Sequence, residues 1–97
     1  MATYVMLAKF TDQGIRNIKE SPKRAEAFKE AAKKSGVTVK DLVWTQGRYD
    51  AVAILEAPDD HSASAAVFGI GALGNIRTET LRAFSAEDMQ VILGKMA

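Results

Sequence analysis

The segment Thr45–Asp50 (TQGRYD) places a glycine, a guanidinium, a phenol and a carboxylate close together between two apolar runs. Arg48 can hold a carboxylate or phosphate, Tyr49 can donate a hydrogen bond, and Asp50 can orient one of them. The same segment is typical of a chain reversal, because Gly47 can adopt a positive φ and Asp50 can bond nearby backbone amides. A structural turn accounts for the presence of Gly47 and Asp50 without any ligand. Of the residues in the segment, Tyr49 is the one whose presence a turn explains least.

Three residues outside this segment are further candidates for a ligand site. Trp44 could line a small-molecule cleft, although aromatic residues in strands more often belong to a core or an interface. His61 is the only histidine, so we predict no metal site and favour a solvated residue near a helix start over a catalytic base. Glu79, together with Arg77, could fix the register of a dimer or line a polar pocket, and an exposed ion pair on an edge strand is the simpler alternative.

The glycines of Gly69–Gly74 (GIGALG) match the G-x-G-x-x-G pattern of dinucleotide-binding proteins. In those proteins the glycines follow a strand and open a helix, so that amides at the helix N-terminus face the pyrophosphate. Here the glycines close a predicted helix and precede a predicted strand. The pattern therefore indicates close packing or fraying of a helix end, and we predict no cofactor.

Composition restricts the classes of partner. The chain has 97 residues, of which 47% are hydrophobic, and a net charge of +1. These values predict one domain over residues 1–97 and no field that would attract nucleic acid or an anionic membrane. The absence of cysteine excludes disulfides and thiolate chemistry. Neither a secretory signal nor a membrane-length apolar run is evident, so we expect a cytoplasmic protein.

Hydrophobic periodicity predicts four strands that must carry these residues. Thr3–Phe10 and Ala51–Ala57 are apolar on both faces, which is typical of central strands. Residues 37–46 (VTVKDLVWTQ) have one apolar face and one mixed face, and residues 75–84 (NIRTETLRAF) are largely polar. These two segments are predicted to be edge strands, the last of them alternatively bordering a wet groove.

Helices are predicted between and after the strands. A long or broken helix follows the first strand and is interrupted near Ser21, which we expect to cap it with Pro22 at the first helical position. A second helix is predicted to be capped by Asp59 or Asp60, and a short terminal helix by Ser85 with an acid three residues on. The apolar stripes of these two helices are Ala63, Ala66, Val67, Ile70 and Leu73, and then Met89, Ile92, Leu93 and Met96.

The predicted order is βαββαβ with an added terminal helix. With the first and third strands central, this order matches the ferredoxin-like α+β fold, whose antiparallel sheet has the strand order 4-1-3-2. Right-handed crossovers place both connecting helices on one face of the sheet. The other face would then be uncovered although the central strands are apolar on both sides, so we expect a homodimer or higher homo-oligomer. The terminal helix could cover part of that face or reach across to the partner.

Three blocks of the chain resemble the GYD-domain family of small, functionally uncharacterised proteins. They are FTDQGIRNIKESPKRAEAF, GRYDAVAILEAPDD and GNIRTETLRAF, in that order. The motif that names the family corresponds to Gly47, Tyr49 and Asp50, with Arg48 inserted. The resemblance implies a fold similar to the dimeric α+β barrel proteins, and it brings no agreed activity, cofactor or catalytic residue. Proteins of that wider group include cofactor-free monooxygenases, haem enzymes, isomerases and ligand-sensing modules.

Two hypotheses of function follow. The first is a homo-oligomeric binding or interaction module with a small-molecule cleft between sheet and helices. The alternative is a cofactor-free enzyme, similar to a monooxygenase or an isomerase, that acts on a small apolar or aromatic molecule. It would use Tyr49 and Arg48 with His61 or Glu79, beside the strand that carries Trp44. The sequence leaves open whether the protein is an enzyme.

Overall fold

The strands and helices follow the predicted βαββαβ order with an added terminal helix. The structure, a computed structural model, describes residues 1–97. Its elements are β1 (Ala2–Phe10), α1 (Asp12–Arg16), a 3₁₀ turn (Ile18–Glu20), α2 (Ser21–Lys34), β2 (Thr38–Trp44), β3 (Ala51–Ala57), α3 (Asp60–Gly71), β4 (Ile76–Ala83) and α4 (Ala86–Gly94). No helix has the length and apolar character needed to cross a membrane.

The four strands form one antiparallel sheet in the order β2-β3-β1-β4. This order is the predicted 4-1-3-2 order in reverse, so the ferredoxin-like α+β fold is confirmed, with β1 and β3 central. Tyr4 lies opposite Leu55 on β3 and opposite Arg82 on β4. A shift of register between Val39 and Asp41 marks a bulge in β2. The bulge makes the alternation of β2 irregular, because it inserts an extra residue into one strand.

The hydrophobic core lies between α2, α3 and one face of the sheet. That face receives alternate residues of β1 and β3, as the period of two in a strand requires. Leu55 and Val37 are the largest fully buried side chains. The cluster consists of Tyr4, Met6, Phe28, Ala32, Val37, Ala53, Leu55, Ala57, Ala63, Ala66 and Val67. Both connecting helices therefore cover the same side of the sheet.

The opposite side of the sheet, which we call the open face, carries apolar residues that no helix buries. Its half-buried centre and more exposed edges are formed by Val5, Leu7, Val43, Val52, Ile54 and Leu81. Side chains of Val43 and Leu81 on the two edge strands are 47% and 46% exposed. Because neighbouring members lie opposite one another in the strand register, they form one continuous apolar surface.

The helical region after β1 is broken as predicted, but the predicted cap of α2 is wrong. Thr11 caps α1 by accepting a hydrogen bond from the amide of Gly14. Ser21 does not cap α2: it already has helical φ and ψ of −57° and −42°, whereas an N-cap residue needs extended backbone. The 3₁₀ turn leads directly into α2 and leaves the Ser21 hydroxyl free to accept a hydrogen bond from Trp44.

Helix α3 begins as predicted and ends earlier. The carboxylate of Asp59 accepts a hydrogen bond from the Ser62 amide and caps the helix. Leu73 was predicted to extend the buried stripe, and this is wrong, because the helix ends at Gly71 and Leu73 is 61% exposed. Gly74 then reverses the chain with a φ of +85°, a conformation that glycine adopts without steric cost.

Helix α4 is well capped at its start but contributes nothing to the core. Ser85 and Asp88 form the reciprocal capping box that was expected from the sequence. None of the residues of α4 is buried, and Met89, Val91 and Leu93 are between 42% and 59% exposed. The apolar side chains of α4 are therefore available to a second molecule.

Candidate functional site

The hairpin between β2 and β3 is closed by bonds within the TQGRYD segment. The amide of Thr45 donates to the carbonyl of Asp50 at 2.9 Å, and the Thr45 hydroxyl donates to the carbonyl of Tyr49 at 2.6 Å. Gly47 has a φ of +94°, which is the left-handed conformation expected for it. The segment is thus a tight turn whose shape needs glycine at one position.

Asp50 ties this hairpin to the neighbouring strand β1. Its backbone amide donates to the carbonyl of Ala8 at 2.8 Å, and its carboxylate accepts from the amide of Phe10 at 2.8 Å. Both of these bonds are to backbone groups at the end of β1. Asp50 therefore braces the turn, and its carboxylate is occupied by the fold.

Tyr49 reaches across the sheet from the hairpin to the outer strand β4. Its phenol donates a hydrogen bond to Oε2 of Glu79 at 3.0 Å. Glu79 lies opposite Leu7, so the pair sits on the side of the open face. The hydrogen bond to Glu79 raises the pKa of Tyr49, with desolvation adding to the same effect. The phenol thus stays protonated at neutral pH and acts as a donor.

Three basic side chains share a depression with the hydrogen-bonded pair of Tyr49 and Glu79. They belong to β1, the hairpin and β4, and with this pair and a threonine they line an open depression of about 470 Å³. We call this depression the basic recess, and its lining is Lys9, Arg48, Tyr49, Arg77, Thr78 and Glu79. The structure thereby brings together three of the predicted candidates, Arg48, Tyr49 and Glu79.

Trp44 lies on the opposite side of the sheet from the basic recess. Its indole Nε1 donates to the hydroxyl of Ser21 on α2 at 2.8 Å. The ring borders an apolar cavity of about 60 Å³ between α2 and the sheet, which Phe10 and Phe28 also line. Ligand pockets usually measure about 300–1,000 Å³. The structure therefore does not combine Trp44 with Arg48 and Tyr49 in a single aromatic site.

His61 is separate from both of these places. It is exposed in the first turn of α3 and borders neither the basic recess nor the cavity beside Trp44. In the same turn, backbone and side-chain hydrogen bonds from Ser62 lower the pKa of the Asp59 carboxyl, which caps α3. No group of three His, Asp or Glu side chains is arranged to hold a metal ion.

A second polar pair was not foreseen from the sequence. The phenol of Tyr4 on β1 donates to a carboxylate oxygen of Asp60 at the start of α3, and this bond raises the pKa of Tyr4. The guanidinium of Arg82 lies 5.6 Å from the centre of the Tyr4 ring and 4.8 Å from that of Phe84. The strand register already places Arg82 opposite Tyr4. Asp60 is 56 positions from Tyr4 along the chain and meets it only in the folded protein.

The sheet order and the helices on one face define a ferredoxin-like α+β protein with an open apolar sheet face and a polar hairpin at its rim. The chain belongs to the GYD domain family, whose model matches residues 4–93. It is also 30% identical over 90 residues to the glutamine synthetase and cystathionine beta-lyase binding protein of Thermus thermophilus. That match covers 92% of this chain and 95% of the relative.

Two solved structures are similar to this chain. A crystal structure of a Thermus thermophilus protein has 30% sequence identity and a TM-score of 0.58, covering 89% of this chain and 96% of the other. The leucine response regulatory protein of Mycobacterium tuberculosis has 14% identity and a TM-score of 0.66. The latter match covers 88% of this chain and 51% of that protein, and at this identity it supports the fold alone.

Proposed function

We propose that this chain is a protein-binding module that works as a homodimer or higher homo-oligomer. The open face carries the proposal: its apolar residues are continuous across all four strands and are covered by no helix of the chain. Continuous exposed apolar surfaces mark sites of interaction, and contact with another protein is one of the common kinds. Since most homo-oligomers are symmetric dimers, a second copy of the same face is the simplest cover.

Edge strands add a feature that suits such an interface. Val43 on β2 and Leu81 on β4 extend the open face to both edges of the sheet and are about half exposed. Two sheets that pack face to face bury the residues of their facing sides at a spacing of about 10 Å. Burial of these two side chains on association would add to the stability of the dimer, by about 25 cal/mol for each Å² of apolar surface removed from water.

The partner half of the proposal rests on the relative from Thermus thermophilus. Its name states that it binds glutamine synthetase and cystathionine beta-lyase, and it aligns with nearly the whole of this chain. We propose that this chain, like that relative, binds an enzyme as its partner. Helix α4 has no buried residue and an exposed apolar side. It therefore supplies a surface for an enzyme partner that is separate from the open face.

Binding to the two enzymes tests the partner half directly. Glutamine synthetase and cystathionine beta-lyase from the organism that encodes this chain are immobilised, and association is followed by biolayer interferometry. We expect saturable binding to at least one of them, weakened by Val91→Lys in α4 and unchanged by Ile15→Lys in α1. Ile15 is a matched control because it is an exposed apolar residue of another helix, 49% exposed against 59% for Val91. If the chain binds neither enzyme, the proposal of an enzyme partner is overturned. Self-association is then tested separately by the oligomeric state.

A further inference from the structure

Positive charge is concentrated in the basic recess beyond what the fold neutralises. Three cations and one carboxylate line it, which leaves a formal charge of +2 there against +1 for the whole chain. The four ion pairs of the structure, Lys23–Glu20, Lys29–Glu26, Lys33–Glu30 and Lys40–Glu56, all lie elsewhere. Lys9, Arg48 and Arg77 therefore have no carboxylate within ion-pairing distance.

Two of these cations are direct cross-strand neighbours. Lys9 on β1 lies opposite Arg77 on β4, and residues in such positions have Cβ atoms about 4.5–5.5 Å apart. Like charges in this arrangement destabilise a sheet. The only carboxylate of the recess, Glu79, is held by the phenol of Tyr49 instead. The fold thus keeps a repulsive pair that has no carboxylate within ion-pairing distance.

We propose that the basic recess is a binding site for a small anion that carries phosphate or carboxylate groups. Arg48 and Arg77 supply planar guanidinium groups, which bind such oxyanions through paired hydrogen bonds, and Lys9 adds a third cation. The volume of about 470 Å³ lies within the range of small-molecule sites. The proposal does not rest on the protein-binding role, since the three cations and the recess belong to one chain.

Tyr49 has a positioning role in this site. Its hydrogen bond holds Glu79 on the β4 side of the recess, and because the phenol stays protonated it adds no negative charge. The oxygen of a phenol that donates one hydrogen bond can still accept another. A bound anion that also carries a donor group can therefore bond to Tyr49 or Glu79 while its acidic groups contact the cations.

Calorimetric titration with inorganic phosphate and with citrate, in chloride buffer at constant ionic strength, tests the site. We expect saturable binding of at least one probe, and the preferred probe identifies the group that the recess takes. Arg48→Gln and Arg77→Gln should each weaken this binding about tenfold or more, the loss that corresponds to one charge-assisted hydrogen bond. Arg16→Gln serves as control, because Arg16 is an exposed cation of α1 outside the recess, and it should bind like the wild type.

Thermal unfolding supplies a second readout. Without phosphate or citrate, Lys9→Gln should melt above the wild type, because it removes the repulsion with Arg77. On addition of the bound probe, the melting temperature of the wild type should rise more than that of Lys9→Gln. The proposal is overturned if neither probe binds, if chloride at equal ionic strength stabilises the wild type as much, or if Arg16→Gln weakens binding as much as Arg77→Gln.

Discussion

Individual side chains of the TQGRYD segment divide into those that shape the turn and those that line the basic recess. Gly47 supplies a positive φ, and Asp50 binds backbone amide and carbonyl groups of β1 through its side chain and main chain. Arg48 and Tyr49 are free of this task and border the basic recess. The motif therefore combines two residues that maintain the hairpin with two that are available for binding.

Replacement of Gly47 by alanine should destabilise the protein through backbone strain alone. A Cβ atom at this position would meet nothing within 4 Å, so the cost comes from the positive φ, about 1–2 kcal/mol for an L-residue. For a chain of this size, each kcal/mol lowers Tm by roughly 4–8 °C. Gly69→Ala is the matched control: it lies inside α3 with equally open space, and alanine should raise stability there. An unchanged Tm for Gly47→Ala would contradict the strained turn.

Ionisation of the two tyrosines should occur above the ordinary pKa of 10.0 in the native protein. Hydrogen bonds to Asp60 and Glu79 raise the pKa of Tyr4 and of Tyr49, respectively. Because the folded state favours the protonated phenols, their contribution to stability is complete below pH 10 and is lost as the pH rises through the raised values. Absorbance titration should show both transitions above pH 10, and Tyr49→Phe should remove one of them. A native tyrosine that ionises below pH 10 would contradict these contacts.

Among the elements, α1 holds the turn between α3 and β4 in place. The amide of Thr11 donates to the carbonyl of Asn75 at 3.1 Å, and its hydroxyl donates to the carbonyl of Gly74 at 2.6 Å. Gln13 adds bonds to Leu73 and Asn75. This docking positions the start of β4, and with it Arg77 of the basic recess.

Gly14→Ala should disrupt this docking. The added Cβ atom would lie 1.9 Å from the carbonyl oxygen of Asn75, so backbone must move. We expect a loss near the upper end of the roughly 1–3 kcal/mol that overpacking costs, measured by urea unfolding followed through the fluorescence of Trp44. Gly71→Ala, at the end of α3 with nothing within 4 Å, is the control. Equal midpoints for the two variants would refute the close approach of α1 to Asn75.

Elements that are marked by a pattern within their own residues could be predicted from the sequence. Features that depend on the preceding element or on a neighbouring strand could not. The apolar density of β1 and β3 and the capping pattern at Ser85 sufficed for the strand order and the start of α4. The cap at Ser21 was predicted wrongly because the preceding 3₁₀ turn had already made the backbone helical. Within the candidate site, Arg48 and Tyr49 were found by residue type. Contact between Tyr49 and Glu79, 30 residues apart, depends on the strand register.

At the scale of the whole molecule, the two sides of the sheet have different tasks. One side forms the core with α2 and α3, and the open face, together with α4, exposes apolar side chains that the chain itself does not cover. A dimer formed through the open face would bury Val43 and Leu81. The basic recess lies at the hairpin end of that face, on residues of β1, β4 and the turn.

A charge placed on the open face should prevent self-association without unfolding the chain. Leu81→Lys is suited to this purpose because Leu81 is 46% exposed on an edge strand, so lysine can reach solvent in a monomer but not in a dimer interface. Phe68→Lys is the control, since Phe68 is 75% exposed on α3 at the helical side of the sheet. Circular dichroism should show folded protein for both variants.

Sedimentation velocity at micromolar concentration is the most direct test of self-association through the open face. The wild type and Phe68→Lys should sediment as a species of at least twice the chain mass of 10.5 kDa, and Leu81→Lys should sediment as a monomer. A wild type that is strictly monomeric, or a folded Leu81→Lys variant that associates as the wild type does, would contradict the assignment of the open face as the interface.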